Sequence, residues 1–222
     1  NACAEIYGLQ RLQDVWEAKL QPVFPYLKAG EEVKSLEYKV NCFQRVAPAV
    51  RLATPRVIIP VFPGTNCEYD TARAFRRAGG DPHILVLKNL TPADVAASCE
   101  ALVKELDQSQ ILMLPGGFSG GDEPDGSAKF ITAFFRNPEV RDATMDLLKN
   151  RDGLMLGICN GFQALIKLGL VPYGEIIDTD ETCPTLTFNT IGRHQSMLVR
   201  TRIASTGSPW LSNCAVGDEH TA

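Results

Sequence analysis

Leu154-Met155-Leu156-Gly157-Ile158-Cys159-Asn160-Gly161-Phe162 carries a short apolar run into a Gly-x-Cys-x-Gly turn, and Phe162, Leu165 and Ile166 then recur helically up to Gly169. A strand that turns sharply into a helix holds the residue at its apex in a strained backbone conformation, with its side chain presented outward. Glycines on either side are expected because any side chain there would crowd the turn or an incoming substrate. The following helix points its N-terminus at the sulfur, and the partial positive charge there favours a thiolate. The backbone N–H of Asn160 is left to help stabilise an oxyanion. A lone cysteine at the end of a core strand is commonly an inert packing residue. Here the paired glycines and a second Gly-rich stretch upstream favour a nucleophile.

The same strand-to-helix change repeats back along the chain. Arg56 to Phe62 reads as a buried strand, Thr71 to Ala78 as a helix stopped by Gly79-Gly80, and His83 to Leu87 as a second strand. Thr91-Pro92-Ala93-Asp94 is a helix start, with Thr as cap, Pro at the first position and Asp three residues on. Val95, Cys99, Leu102, Val103 and Leu106 form one apolar face. Gln110 to Leu114 is a third strand, Asn137-Pro138 restarts a helix, and Leu154 to Gly157 is the fourth strand. Such alternation predicts an α/β fold with a parallel sheet covered by helices on both faces. Active sites then lie at the carboxyl ends of the strands. Pro63-Gly64-Thr65-Asn66, Pro115-Gly116-Gly117 and Gly157 to Gly161 all fall there. Beyond residue 180, Thr185 to Phe188 and Met197 to Ile203 are β-like and predict an antiparallel addition.

Residues 1–55 differ. Leu9, Leu12, Trp16 and Leu20 keep helical spacing until Pro22, and a mixed, charged segment follows. They read as a linker with one amphipathic helix, and residues 56–222 as the domain proper. The chain has 222 residues, 45% of them apolar, and a formal charge of -4. That balance speaks against nucleic acid and anionic membrane surfaces as partners. No apolar run approaches the roughly 20 residues of a membrane span, and the N-terminus has no secretory pattern. Its seven cysteines are scattered, without C-x-x-C spacing. They predict a reduced, cytoplasmic protein without a metal site.

Pro115-Gly116-Gly117-Phe118-Ser119-Gly120-Gly121-Asp122 lets backbone approach a ligand closely, and its N–H groups could form the other half of an oxyanion hole. With the cysteine elbow about 40 residues later in an α/β rhythm, the chain resembles the class I glutamine amidotransferases. The closest resemblance within them is to the glutaminase domains of the phosphoribosylformylglycinamidine synthases of purine synthesis. It rests on Pro63-Gly64-Thr65-Asn66-Cys67-Glu68-Tyr69-Asp70, Gly117 to Asp122 and Gly157 to Gln163, and covers roughly residues 56–222. Residues 1–55 resemble the stretch that joins synthetase and glutaminase in single-chain forms.

The resemblance implies a flavodoxin-like fold and hydrolysis of glutamine through a thioester on Cys159. Gly116, Gly117, Phe118, Asn160 and Gln163 become candidates for holding glutamine and the oxyanion. It implies no cofactor in this chain. ATP and magnesium are expected on a formylglycinamidine ribonucleotide synthetase domain, fused or separate, that receives the ammonia.

One departure is plain. The family's base and its orienting acid come from a His-Gly-Glu type segment. None of His83, His194 and His220 is followed by Glu two residues later. The expectation is a domain truncated at its C-terminus, with nucleophile and oxyanion hole but without the base. His83 reads as structural, His220 as a strand-edge residue and His194 as a poor base candidate. Cys67 reads as packing, Asp122 as a turn acid or a contact to the synthetase, and Arg73, Arg76 and Arg77 as a solvated face. Two rival readings remain: a cysteine-elbow hydrolase of the intracellular-protease-like group, against which Asn160 in place of a His speaks, and a degenerate glutaminase-like assembly module.

Overall fold

The structure, a computed structural model, describes residues 8–19, 52–118, 128–186 and 196–222. Most of the predicted linker (20–51), Ser119 to Asp122, Thr187-Phe188 and His194 lie outside the described residues. In chain order the elements are α1 (Leu9–Ala18), β1 (Arg56–Val61), α2 (Glu68–Arg77), β2 (Asp81–Val86), α3 (Pro92–Gln108), β3 (Ile111–Leu114), α4 (Lys129–Phe135), α5 (Pro138–Lys149), β4 (Leu154–Gly157), α6 (Asn160–Leu168), α7 (Leu170–Tyr173), β5 (Arg200–Arg202) and β6 (Glu219–Thr221). They fall into two compact units, Pro48–Thr187 and the pair Asn1–Ala47 with Phe188–Ala222.

The first unit is a four-stranded parallel sheet in the order β2-β1-β3-β4, flanked by helices, as the alternation predicts. Side chains leave a strand alternately to its two faces. Ile58, Leu112 and Leu114 join a core built with α3, α4, α5 and α6, while Val57, Ile59, Ile111 and Met113 join Ala72 and Phe75 of α2 on the other face. Leu102, Leu106, Leu112, Leu147 and Leu168 are fully buried, each worth about 1.5–3 kcal/mol of transfer free energy. Thr91 caps α3 through a reciprocal pair, its hydroxyl accepting from Asp94 N–H at 3.1 Å and the Asp94 carboxylate accepting from Thr91 N–H at 3.0 Å. The Asn137 side chain caps α5.

Two details of the sheet place a crevice. The chain leaves β1 toward β2 and then crosses back to lay β3 on the other side of β1. Ligands of open α/β sheets bind outside the carboxyl ends of strands at such a reversal. Pairing of β1 with β3 covers only Val57 and Ile58. Pro60, which has no N–H to donate, lies beyond that pairing and keeps only its β2 neighbour.

In the second unit, α1 exposes Leu9, Leu12, Val15 and Trp16. The predicted antiparallel element is a ladder of β5 with β6. Its pairing extends through Val199 and Ala222, which exchange bonds of 2.9 and 3.0 Å. His220 lies within β6 opposite Thr201. Thr185 and Leu186 take no strand conformation.

Candidate active site

Cys159 stands between β4 and α6 with φ +54° and ψ -112°. Gly161 N–H donates to Ile158 C=O at 2.9 Å, closing a four-residue turn with Cys159 in second place. Dihedrals of this kind belong to the first central residue of a type II′ turn, normally glycine. A cysteine there is a strained residue, as the elbow pattern predicts. The turn is fastened to its neighbour strand. Ile158 N–H donates to Leu114 C=O at 3.1 Å, one register step past the Leu114–Gly157 pair. The glycines are explained by closeness. A Cβ on Gly161 would come within 2.1 Å of Leu114 O, and one on Gly157 within 2.7 Å of Gly161 O. So α6 begins against the end of β3, and Cys159 stands exposed at the carboxyl end of β4.

Across the crevice, Gly116 and Gly117 follow β3. A Cβ on Gly116 would lie 3.3 Å from Cys159 Cβ, so this backbone runs directly beside the nucleophile candidate. Gly117 has φ +142°, and a side chain there would meet Gly64 O at 2.4 Å. The loop after β1 buttresses it. Phe118 N–H donates to Gly64 C=O at 2.9 Å and Asn66 N–H to Gly116 C=O at 3.4 Å, around a bridge of Thr65 with Gly117. That loop is itself locked. Thr65 N–H donates to Phe62 C=O at 2.9 Å, and the Thr65 hydroxyl accepts from Phe62 N–H at 3.2 Å. Phe62 is anchored edge-on against Phe130 and Phe134 of α4.

Among the described residues, the N–H groups of Asn160 and Gly117 have no protein acceptor. Asn160 is buried, and its side-chain amide donates to Gln163 Oε1 at 3.4 Å. Gln163 N–H donates to Cys159 C=O at 3.0 Å, the first helical bond of α6. Cys159 is exposed, and so are Ile158 and the Phe118 ring. Buried backbone donors beside an exposed thiol can polarise a carbonyl that the sulfur attacks.

Other residues sort clearly. Cys67 is exposed, contrary to its expected packing role. Glu68 opens α2 and keeps one carboxylate oxygen buried with no hydrogen-bond partner among the described residues. Asp70 pairs with Arg73 at 2.6 Å on the outer face of α2, where Arg76 and Arg77 are exposed too. His83 lies on β2, held by Asp81 at 2.9 Å and in contact with Arg56 at 3.2 Å. Since β1 and β3 separate β2 from β4, about 14 Å of sheet lies between His83 and the strand that carries Cys159. Among the described residues no cluster of His, Cys, Asp and Glu could hold a metal, and no helix is long and apolar enough to cross a membrane.

The loop after β1 is what the sequence did not disclose. Its motif was visible, but its antiparallel grip on Gly117 depends on β1 and β3 being neighbours.

Residues 54–221 match the family model of the CobB/CobQ-like glutamine amidotransferase domain. The chain is 32% identical over 168 residues to the phosphoribosylformylglycinamidine synthase subunit PurQ of Rubrobacter xylanophilus, covering 75% of this chain and 61% of that one. It is 32% identical over 151 residues to the same subunit of Methanococcus maripaludis, covering 67% and 50%. With that of Sulfurimonas denitrificans it shares 38% over 122 residues, covering 53% and 44%. The chain thus spans about half of these relatives. The PurLQS structure of Thermotoga maritima shares the fold, with a TM-score of 0.53 at 24% identity, over 76% of this chain and 64% of that one.

Proposed function

This chain belongs to the CobB/CobQ-like glutamine amidotransferase family, and we propose that it is the glutaminase part of a phosphoribosylformylglycinamidine synthase. The observation that carries the reading is Cys159 at φ +54° beside Gly116, with the N–H groups of Asn160, next in sequence, and Gly117, next to Gly116, both without an acceptor among the described residues. The names of the relatives supply the pathway.

In the proposed reaction the Cys159 thiolate attacks the side-chain amide carbon of glutamine. The N–H groups of Gly117 and Asn160 hold the oxyanion, and Phe118 and Gln163 border the bound substrate. A histidine protonates the departing ammonia, and water cleaves the thioester to glutamate. The histidine is not His83, which lies across the sheet. It belongs to a His-Gly-Glu segment of the family type. The ammonia passes to a synthetase partner, which uses ATP and magnesium to aminate formylglycinamide ribonucleotide in the cytoplasm. This chain holds no cofactor of its own in that scheme.

The test is glutamate release. Residues 1–222 alone should turn glutamine over about 10²–10⁴-fold more slowly than a version that also carries a His-Gly-Glu segment, the contribution typical of a positioned acid. Cys159→Ala should abolish release in both. Release that survives Cys159→Ala, or equal rates in both versions, would overturn the assignment.

A further inference from the structure

Cys67 and Cys159 both lie against Gly116. A Cβ built on Gly116 would lie 3.3 Å from Cys159 Cβ and 3.7 Å from Cys67 Sγ. The residue next to both cysteines is thus a glycine, which has no side chain to occupy that space. Both cysteines are exposed. Each sits at an element boundary, Cys67 just before α2 and Cys159 just before α6. The two distances together put Cys67 Sγ no more than about 7 Å from Cys159 Cβ, and both residues stand at helix boundaries, where a loop can adjust without disrupting a helix or strand. Among the described residues the Cys67 thiol donates to Asn66 Oδ1 at 3.1 Å, a bond that is weak and readily exchanged.

The other described cysteines are occupied elsewhere. Cys99 is buried in the core of α3, where burial and then the charges of Glu139 and Glu100 push its thiol above the usual range. Cys183 donates to Asp180 Oδ1 at 3.5 Å. Cys214 is in the second unit.

We propose that Cys67 and Cys159 are a redox dithiol, in which a hydroperoxide oxidises Cys159 and Cys67 resolves it as a disulfide. In the first step the Cys159 thiolate attacks the peroxide. The S–O bond forms, the O–O bond breaks, and the leaving oxygen takes a proton as water or an alcohol. Sulfur is oxidised by two electrons to a sulfenic acid as the peroxide is reduced. In the second step the Cys67 thiolate attacks that sulfur. The S–S bond forms and the S–O bond breaks, and hydroxide leaves and is protonated to water. A small dithiol reverses the pair by exchange. Capture by Cys67 keeps Cys159 from the irreversible sulfinic state. The disulfide also removes the sulfur that would attack an amide. That last consequence rests on the glutaminase reading, whereas the pairing rests on geometry alone.

Treatment with hydrogen peroxide, digestion without reduction and mass mapping test it. The expected product is a cross-linked pair of peptides holding Cys67 and Cys159, two hydrogens lighter than the free pair and released by dithiothreitol. In Cys67→Ser, Cys159 should instead accept a sulfenic-specific diketone and go on to sulfinic acid. A cross-link from Cys159 to any other cysteine would overturn the proposal. So would equal rates of sulfinic acid formation in wild type and Cys67→Ser. A Cys67–Cys159 cross-link in a protein whose reduced form, extended by a His-Gly-Glu segment, releases no glutamate would sustain the dithiol and remove only the glutaminase.

Discussion

Cys159 is the residue where stability and chemistry conflict. A non-glycine residue in a positive-φ region costs about 1–3 kcal/mol, and Cys159 has φ +54°. Cys159→Gly should release that strain, less the extra freedom glycine gives the unfolded chain. A net gain of about 1 kcal/mol would raise Tm by roughly 2–4 °C in a protein of this size. Calorimetry of the two proteins reads it, and a fall in Tm would mean that the elbow is not strained. Reactivity should follow exposure and the helix terminus. A diazo-ketone analogue of glutamine should label Cys159 before any other cysteine, and Cys99, buried with its thiol pushed up, last. Labelling of Cys67 or Cys183 ahead of Cys159 would remove the nucleophile assignment.

At the level of elements, the Gly116–Gly117 turn is held by the loop after β1 rather than by its own residues. Gly117→Ala would set a Cβ 2.4 Å from Gly64 O at a φ that side chains resist. It should cost about 2–4 kcal/mol and slow the glutamine-analogue reaction at Cys159 more than its reaction with iodoacetamide. Thr91→Ala removes one side of a capping box and should cost about 1 kcal/mol without changing either reaction. Urea unfolding and the two labelling rates separate these cases.

The same elements show what could be read in the chain. β1 to β4, the α3 cap and the cysteine elbow were legible because apolar runs, Gly stops and capping residues are local signals. α4 was missed for a physical reason. Its preceding residue, Ala128, is left-handed at φ +66° and offers no cap. Its sequence Lys-Phe-Ile-Thr-Ala-Phe-Phe also buries Ile131, Thr132, Phe134 and Phe135, leaving little polar face to set a period. Cys67 was misjudged for a different reason. Its neighbour is Gly116, about 50 residues away in the chain, and only the pairing of β1 with β3 brings them together.

For the molecule as a whole, every large buried hydrophobic side chain among the described residues lies between Val57 and Ile176. The described part of residues 1–47, the helix α1, adds no buried hydrophobic side chain to these. Deleting residues 1–47 should leave the thermal transition of the parallel-sheet unit within about 0.5 kcal/mol, as for changes away from buried features, and should preserve labelling of Cys159. Loss of cooperative unfolding in the shortened chain would show that the core needs residues 1–47.

The strand order also has a consequence for how the molecule is made. β1, first of the parallel strands to be synthesised, is interior to the sheet, and β2, β3 and β4 each attach to an edge that already exists. No later strand has to be inserted between two earlier ones, so the sheet can grow while translation continues. At about 5–20 residues per second, the roughly 100 residues from β1 to the end of β4 take on the order of 5–20 s. Cys67 emerges early and Cys159 late. For that interval the ribosome-bound chain holds a finished loop waiting for its thiol, and the two halves of the crevice meet only when β4 docks.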